Sequence, residues 1–140
     1  MKYLFLILSL ISIVSCGITT NTKPENQIGY NGKTSGVFGF NSVPDLLSSL
    51  KADTNNIVSA VSGDFGVWTI VESPSDHSLW SFTPEQHPAH PSVVKRTTVE
   101  KDGKVFINMA ASCKAEKSVC DQLVNAFLKL NNKIRDSFGA

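Results

Sequence analysis

Leu4 to Val14 is an almost unbroken apolar run, and it takes itself out of whatever the rest of the chain folds into. Met1-Lys2-Tyr3 gives it a short positive start, and the small residues Ser15 and Gly17 flank Cys16 directly after it. A basic end, a short apolar core and a small-residue cut form the secretory signal pattern. A membrane-spanning helix needs roughly 20 apolar residues, so the run is too short to span. Residues 1–15 are therefore expected to be a signal peptide, and the folded part is expected to mature in an oxidising compartment. Cysteines pair there, and setting Cys16 aside leaves an even remainder, Cys113 and Cys120. Their bridge would restrain the unfolded chain by roughly 2–3 kcal/mol through loop entropy. A metal or redox pair is the rival reading. The spacing is not C-x-x-C, however, and no histidine lies nearby in sequence.

Ile13-Val14-Ser15-Cys16 resembles the lipobox of bacterial lipoproteins: an aliphatic residue, a tolerant position, a small residue, then cysteine. The resemblance covers only the leader. It implies that Cys16 becomes the mature N-terminus, that its thiol carries a diacylglycerol thioether, and that its amine is often acylated as well. Two or more acyl chains give stable anchoring where one gives only marginal binding. Gly17 stands where Asp would resemble an inner-membrane retention signal, which implies the periplasmic face of the outer membrane. The alternative is an ordinary secretory signal cut after Gly17, giving a secreted or soluble periplasmic protein.

Roughly 120 residues remain after the cut, about one domain's worth. Of the 13 Lys and Arg only Lys2 lies in the leader, so the exported part balances its 12 acidic residues with as many basic ones. That balance provides neither a nucleic-acid footprint nor a polybasic membrane patch. Attachment to a membrane would rest on the lipid alone.

Residues 16–40 read as a lipidated N-terminus and a flexible tether, with Gly17, Gly29, Gly32, Gly36 and Gly39 among Asn, Thr and Lys. Val37-Phe38-Gly39-Phe40 is placed to dock on the domain at the tether's far end. The domain is expected over residues 41–140. Ser42-Val43-Pro44-Asp45 is a helix start, with Ser42 as cap and Pro44 tolerated in the first turn. Apolar residues at 43, 46, 47, 50, 57, 58 and 61 predict one helical face to about Ser62, with a possible break at Asp53-Thr54-Asn55-Asn56. Strands are predicted over Val67–Glu72, Leu79–Thr83, Val93–Glu100 and Lys104–Ala111, with a proline-rich loop at 84–92. For the last hairpin, matching apolar with apolar favours a three-residue loop, Lys101-Asp102-Gly103, over a two-residue Asp102-Gly103 turn. The preferred register pairs Glu100 with Lys104 and Val99 with Val105. It turns Phe106 away from the core, beside Arg96 and Thr98. Cys120, Leu123, Phe127, Leu130, Ile134 and Phe138 then repeat at three and four, predicting the strongest helix over about Ala115–Phe138. Both sulfurs point into the same helix–sheet interface. The fold class expected is α+β: a two-layer sandwich, with an antiparallel sheet of three or four strands and two amphipathic helices.

The most concentrated polar chemistry is His77, His87 and His90. Imidazole suits zinc or copper, and a loop could converge these residues. Pro88 and Pro91 impose an extended backbone instead, and the spacing is no recognised zinc pattern. No resident cofactor is therefore expected. Catalysis finds no support: G-x-S-x-G, H-E-x-x-H and a Gly-rich phosphate loop are all missing, and the chain is not expected to be an enzyme. An outward Phe106 with Arg96 would suit protein or peptide contact. The stretches His87–Arg96 and Val99–Gly103 look like segments of small uncharacterised exported proteobacterial proteins, a resemblance that implies no activity. In size and plan the chain is similar to pilotins and other assembly-factor lipoproteins, an analogy of architecture only. The leading expectation is thus a lipid-anchored envelope protein acting by protein–protein contact. The alternative is a periplasmic metal or small-ligand binder using the His77/His87/His90 loop.

Overall fold

The structure, a computed structural model, describes residues 29–30 and 37–137. The expected signal peptide, Cys16 and most of the tether lie outside the described residues. Nine elements follow in order: β1 (Gly29–Tyr30), α1 (Val43–Ala52), β2 (Ile57–Gly63), β3 (Gly66–Ser73), a 3-10 turn at Pro74–Asp76, β4 (Ser78–Phe82), β5 (Val93–Lys101), β6 (Lys104–Ser112) and α2 (Lys117–Ser137). They make one mixed α+β unit. Strands β2 to β6 pair antiparallel in sequence order, and β1 adds in parallel to the outer edge of β6. No helix among the described residues is long and apolar enough to cross a membrane.

The first helix is shorter than its apolar spacing predicts. Ser42 caps it as expected, its Oγ accepting from the Asp45 N–H at 3.2 Å. It stops at Ala52 because Asp53 offers the backbone a competing turn. The Asp53 carboxylate accepts from both the backbone N–H and the side-chain amide of Asn55, each at 2.9 Å, and Asn56 Nδ2 donates to the freed Leu50 carbonyl. Beyond that break, Ile57, Val58 and Val61 belong to a strand rather than to the helix. Spacings of one and four residues fit either element, and β-branching together with pairing to β3 decides for β2.

The two helices lie on opposite faces of the sheet, so the domain has three layers where the sequence predicts two. On one face Leu46 packs with Val71, Trp80, Phe82 and Val93, beneath α1. On the other, Leu123, Val124 and Phe127 of α2 pack on Val94, Met109 and Ala111. Val93 and Val94 are adjacent and both fully buried, which requires cover on both sides of β5. Val37, also fully buried, belongs to the α1-side core, and the Phe38 ring meets Trp80 edge-on at 5.1 Å. Gly29–Tyr30 and Val37–Phe40, read as tether, are thus part of the folded unit.

The last hairpin corrects a second expectation. Lys101 pairs with Lys104, Glu100 with Val105 and Arg96 with Met109, so Asp102-Gly103 is a two-residue turn. Both turn residues have positive φ, +54° and +70°, the combination that Asp-Gly adopts readily and that matches strand twist. Apolar matching fails as a guide here because this end of the hairpin extends past the core. The new register puts Arg96 on the α2 face and Phe106, an odd number of residues from Met109, on the opposite one. The single Arg96–Phe106 contact surface is therefore not formed.

Cys113 and Cys120 are disulfide-bonded, with Cα atoms 5.8 Å apart. The bridge ties the exit of β6 to the first turn of α2, where Cys120 is buried.

Candidate functional site

His77 and the pair His87/His90 stand at opposite ends of β4. His77 closes the 3-10 turn with φ +53°, and its carbonyl accepts from Thr98 N–H at 3.0 Å. His87 and His90 lie in the loop after β4 and serve its internal bonding. His87 Nδ1 accepts from Ala89 N–H at 3.0 Å, and its ring meets Phe65 and Trp68 edge-on at 4.8 and 5.3 Å. His90 Nδ1 lies 3.0 Å from the Thr83 carbonyl oxygen. Thr83 and Ser92 clamp the loop's base: Thr83 N–H donates to Ser92 O at 3.1 Å, and Ser92 N–H to Thr83 Oγ1 at 2.9 Å. Ser92 Oγ also donates to the Ala89 carbonyl. Burial, and next the neighbouring His90, lower the pKa of His87 below its ordinary 6.5. Among the described residues no group of three or more His, Cys, Asp or Glu side chains is arranged to hold a metal ion.

A cleft of about 720 Å³ opens between α1 and this loop, lined by Val43, Leu47, Phe82, Pro84, Glu85 and His90. Lys95, on the same face of the sheet as Trp80, is already engaged. It pairs with Asp76 at 2.9 Å and lies 4.7 Å from the Trp80 ring centroid. Burial alone would raise the Asp76 pKa, but its hydrogen bonds from Lys95 and Ser78 outweigh that and hold it below the ordinary 3.8.

Two features on the other side of the molecule remain without an internal partner. The first is β2, the last strand of the sheet. Every one of its seven residues is exposed, none is charged, and Ile57, Val58 and Val61 are 56%, 45% and 51% exposed. Phe65 and Val67 extend the same apolar border, at 53% and 57%. The second is a groove of about 450 Å³ between α2 and the uncovered part of its sheet face. Helix α2 packs toward β6, so β2 to β4 floor this groove rather than being capped by the helix. Arg96 from β5 and Ser81 from β4 reach the same groove. The Arg96 guanidinium carbon sits 5.4 Å from the Phe127 ring centroid, its Nε is buried without a partner, and burial lowers its pKa. Ser81 Oγ is likewise buried and unpartnered. The sequence pointed to Arg96 but not to Ser81 or β2. An unpaired edge and an orphaned hydroxyl are properties of strand order, which no local pattern carries.

The chain matches no known family, curated protein or solved structure.

Proposed function

We propose that this chain is a lipid-anchored protein of the cell envelope, held through Cys16 on the periplasmic face of the outer membrane, and that its domain works by protein–protein contact. One observation carries the contact reading: β2 presents an unpaired, uncharged, apolar strand edge. Soluble proteins normally protect such an edge with charge, proline, a bulge or a covering segment. Here seven consecutive residues carry neither charge nor proline, and no described residue covers them. An edge of this kind suits strand addition, in which main-chain hydrogen bonds supply affinity and alternate side chains supply selectivity. A role as an assembly or pilotin-like factor would use it that way.

Two measurements test the reading. Full chain should sediment with membranes and carry a lipid mass on Cys16, and Cys16→Ser should release it to the soluble fraction. A photo-crosslinking residue at Val58 should yield one discrete adduct in intact cells, whereas the same residue at the exposed Lys129 of α2 should not. Unlipidated protein in the first experiment removes the anchor. Identical patterns from positions 58 and 129, or none from either, remove the contact surface.

A further inference from the structure

We propose that the groove between α2 and the sheet is a binding site for an apolar monocarboxylate, with Arg96 holding the carboxylate and the β2–β4 floor holding the tail. Arg96 lies on the α2 face of β5, opposite Leu79 of β4 and half-enclosed beside Phe127. Among the described residues the ion pairs are Lys95–Asp76 and Lys117–Asp121, so the Arg96 charge has no carboxylate partner. Glu72 shares the face on β3, about 10 Å away backbone to backbone, and makes no ion pair with Arg96. The Phe127 ring takes up one face of the guanidinium and leaves the N–H fork unengaged. A guanidinium keeps its proton even where burial disfavours the charge, so a partly buried, unpaired one is costly until an anion meets it.

Ser81 makes the position a site rather than an isolated cation. It is 1% exposed, lines the groove, and its Oγ has no hydrogen-bond partner. Ser81 opposes Val94, so it is the diagonal neighbour of Arg96 on one face of adjacent strands. Such pairs stand about 7–8 Å apart, a gap one carboxylate bridges when the longer side chain reaches toward it. One fixed fork plus one hydroxyl, with no lysine or second arginine among the lining residues, matches a singly charged planar anion better than a phosphate. Asp64 of the β2–β3 turn and His87 of the loop after β4 also line the groove.

The tail follows from the remaining walls. From Arg96 the floor runs over Leu79 and Ile70 to Trp68 and Val61, while Leu123 and Phe127 form the roof. Three strand spacings separate β5 from β2, about 14 Å, the reach of a medium-length alkyl chain. The groove's size is that of small-ligand sites, which are mostly apolar with a few converging polar groups. The inference does not depend on strand addition at β2, because Arg96 lies three strands inside that edge.

Calorimetric titration of the full chain carrying Cys16→Ser, which keeps it free of lipid and detergent, tests this. The probes are dodecanoate below its self-association concentration, dodecanol with the same tail and no charge, and propanoate with the charge and almost no tail. Dodecanoate should bind one saturable site. Dodecanol should bind about ten- to a hundredfold more weakly, the range for one charged hydrogen-bonded contact. Propanoate should bind more weakly than dodecanoate. Arg96→Gln should weaken dodecanoate by the same factor and leave dodecanol unchanged, and Arg96→Lys should recover part of the loss. Equal binding of dodecanoate and dodecanol, no saturable binding of dodecanoate, or unaltered binding by Arg96→Gln overturns the proposal. The comparison of the two twelve-carbon probes needs no Arg96 variant, so it decides the matter even if Arg96→Gln fails to fold.

Discussion

Reducing the Cys113–Cys120 bridge should cost this domain a measurable and bounded amount of stability. The two residues are seven apart in sequence. Closing so short a ring removes unfolded-state entropy worth about 2.5 kcal/mol at 25 °C in the chain-entropy model. For a domain of this size, that is a fall of about 10–20 °C in Tm. The bridge joins elements already held by packing, since Cys120 is buried and Leu123, one turn further on, is in the α2-side core. The loss should therefore appear as a lower midpoint with an intact native fold rather than as loss of folding. Urea unfolding with and without reductant isolates the cross-link, because reduced cysteines keep the sulfur volume that Cys113→Ala/Cys120→Ala removes. The double variant should lose at least as much as the reduced protein. Equal midpoints for oxidised and reduced chain would refute the reasoning, because the unfolded ensemble would then gain nothing from the missing link.

The hairpin turn and the histidine loop supply two more tests. Gly103→Ala should destabilise by about 1 kcal/mol because φ is +70° there, while Asp102→Gly, at φ +54°, should be neutral or slightly stabilising; equal costs at both positions in urea titrations would reinstate a different turn. Acid should weaken the fold in two windows. The lowered His87 pKa means the unfolded chain takes up a proton first, so stability falls as pH drops from about the ordinary 6.5 toward the lower folded value, and His87→Gln should flatten that slope. The lowered Asp76 pKa leaves its contribution intact above the ordinary 3.8 and lost below it, a loss that Asp76→Asn should already show at neutral pH. Tm against pH checks both windows.

Much of the fold was legible because some signals are local. A capping serine before Pro44, a three-and-four repeat from Cys120 to Ile134 and the positions of Val67–Glu72, Leu79–Thr83 and Val93–Glu100 each declare an element within a few residues. The failures share one cause. Ile57-Val58 and Val61 carry spacings that helix and strand both accept, so the choice waited on β3 as a partner. Asp102-Gly103 and the pattern of apolar residues disagreed about register, and local turn geometry won where the strands leave the core. Val93-Val94 was the clue to a third layer, since two consecutive apolar residues on a paired strand need cover on both faces.

Sequence alone located the helix starts, paired Cys113 with Cys120, and showed an apolar run that stops just before Cys16. The tertiary structure alone decided that α1 and α2 take opposite faces, that β2 becomes an unpaired edge, and that Arg96 and Ser81 meet in an apolar groove. The physical reason is that capping, periodicity and loop closure act over a few residues. Faces, edges and unpartnered charges exist only once strands distant in sequence have paired.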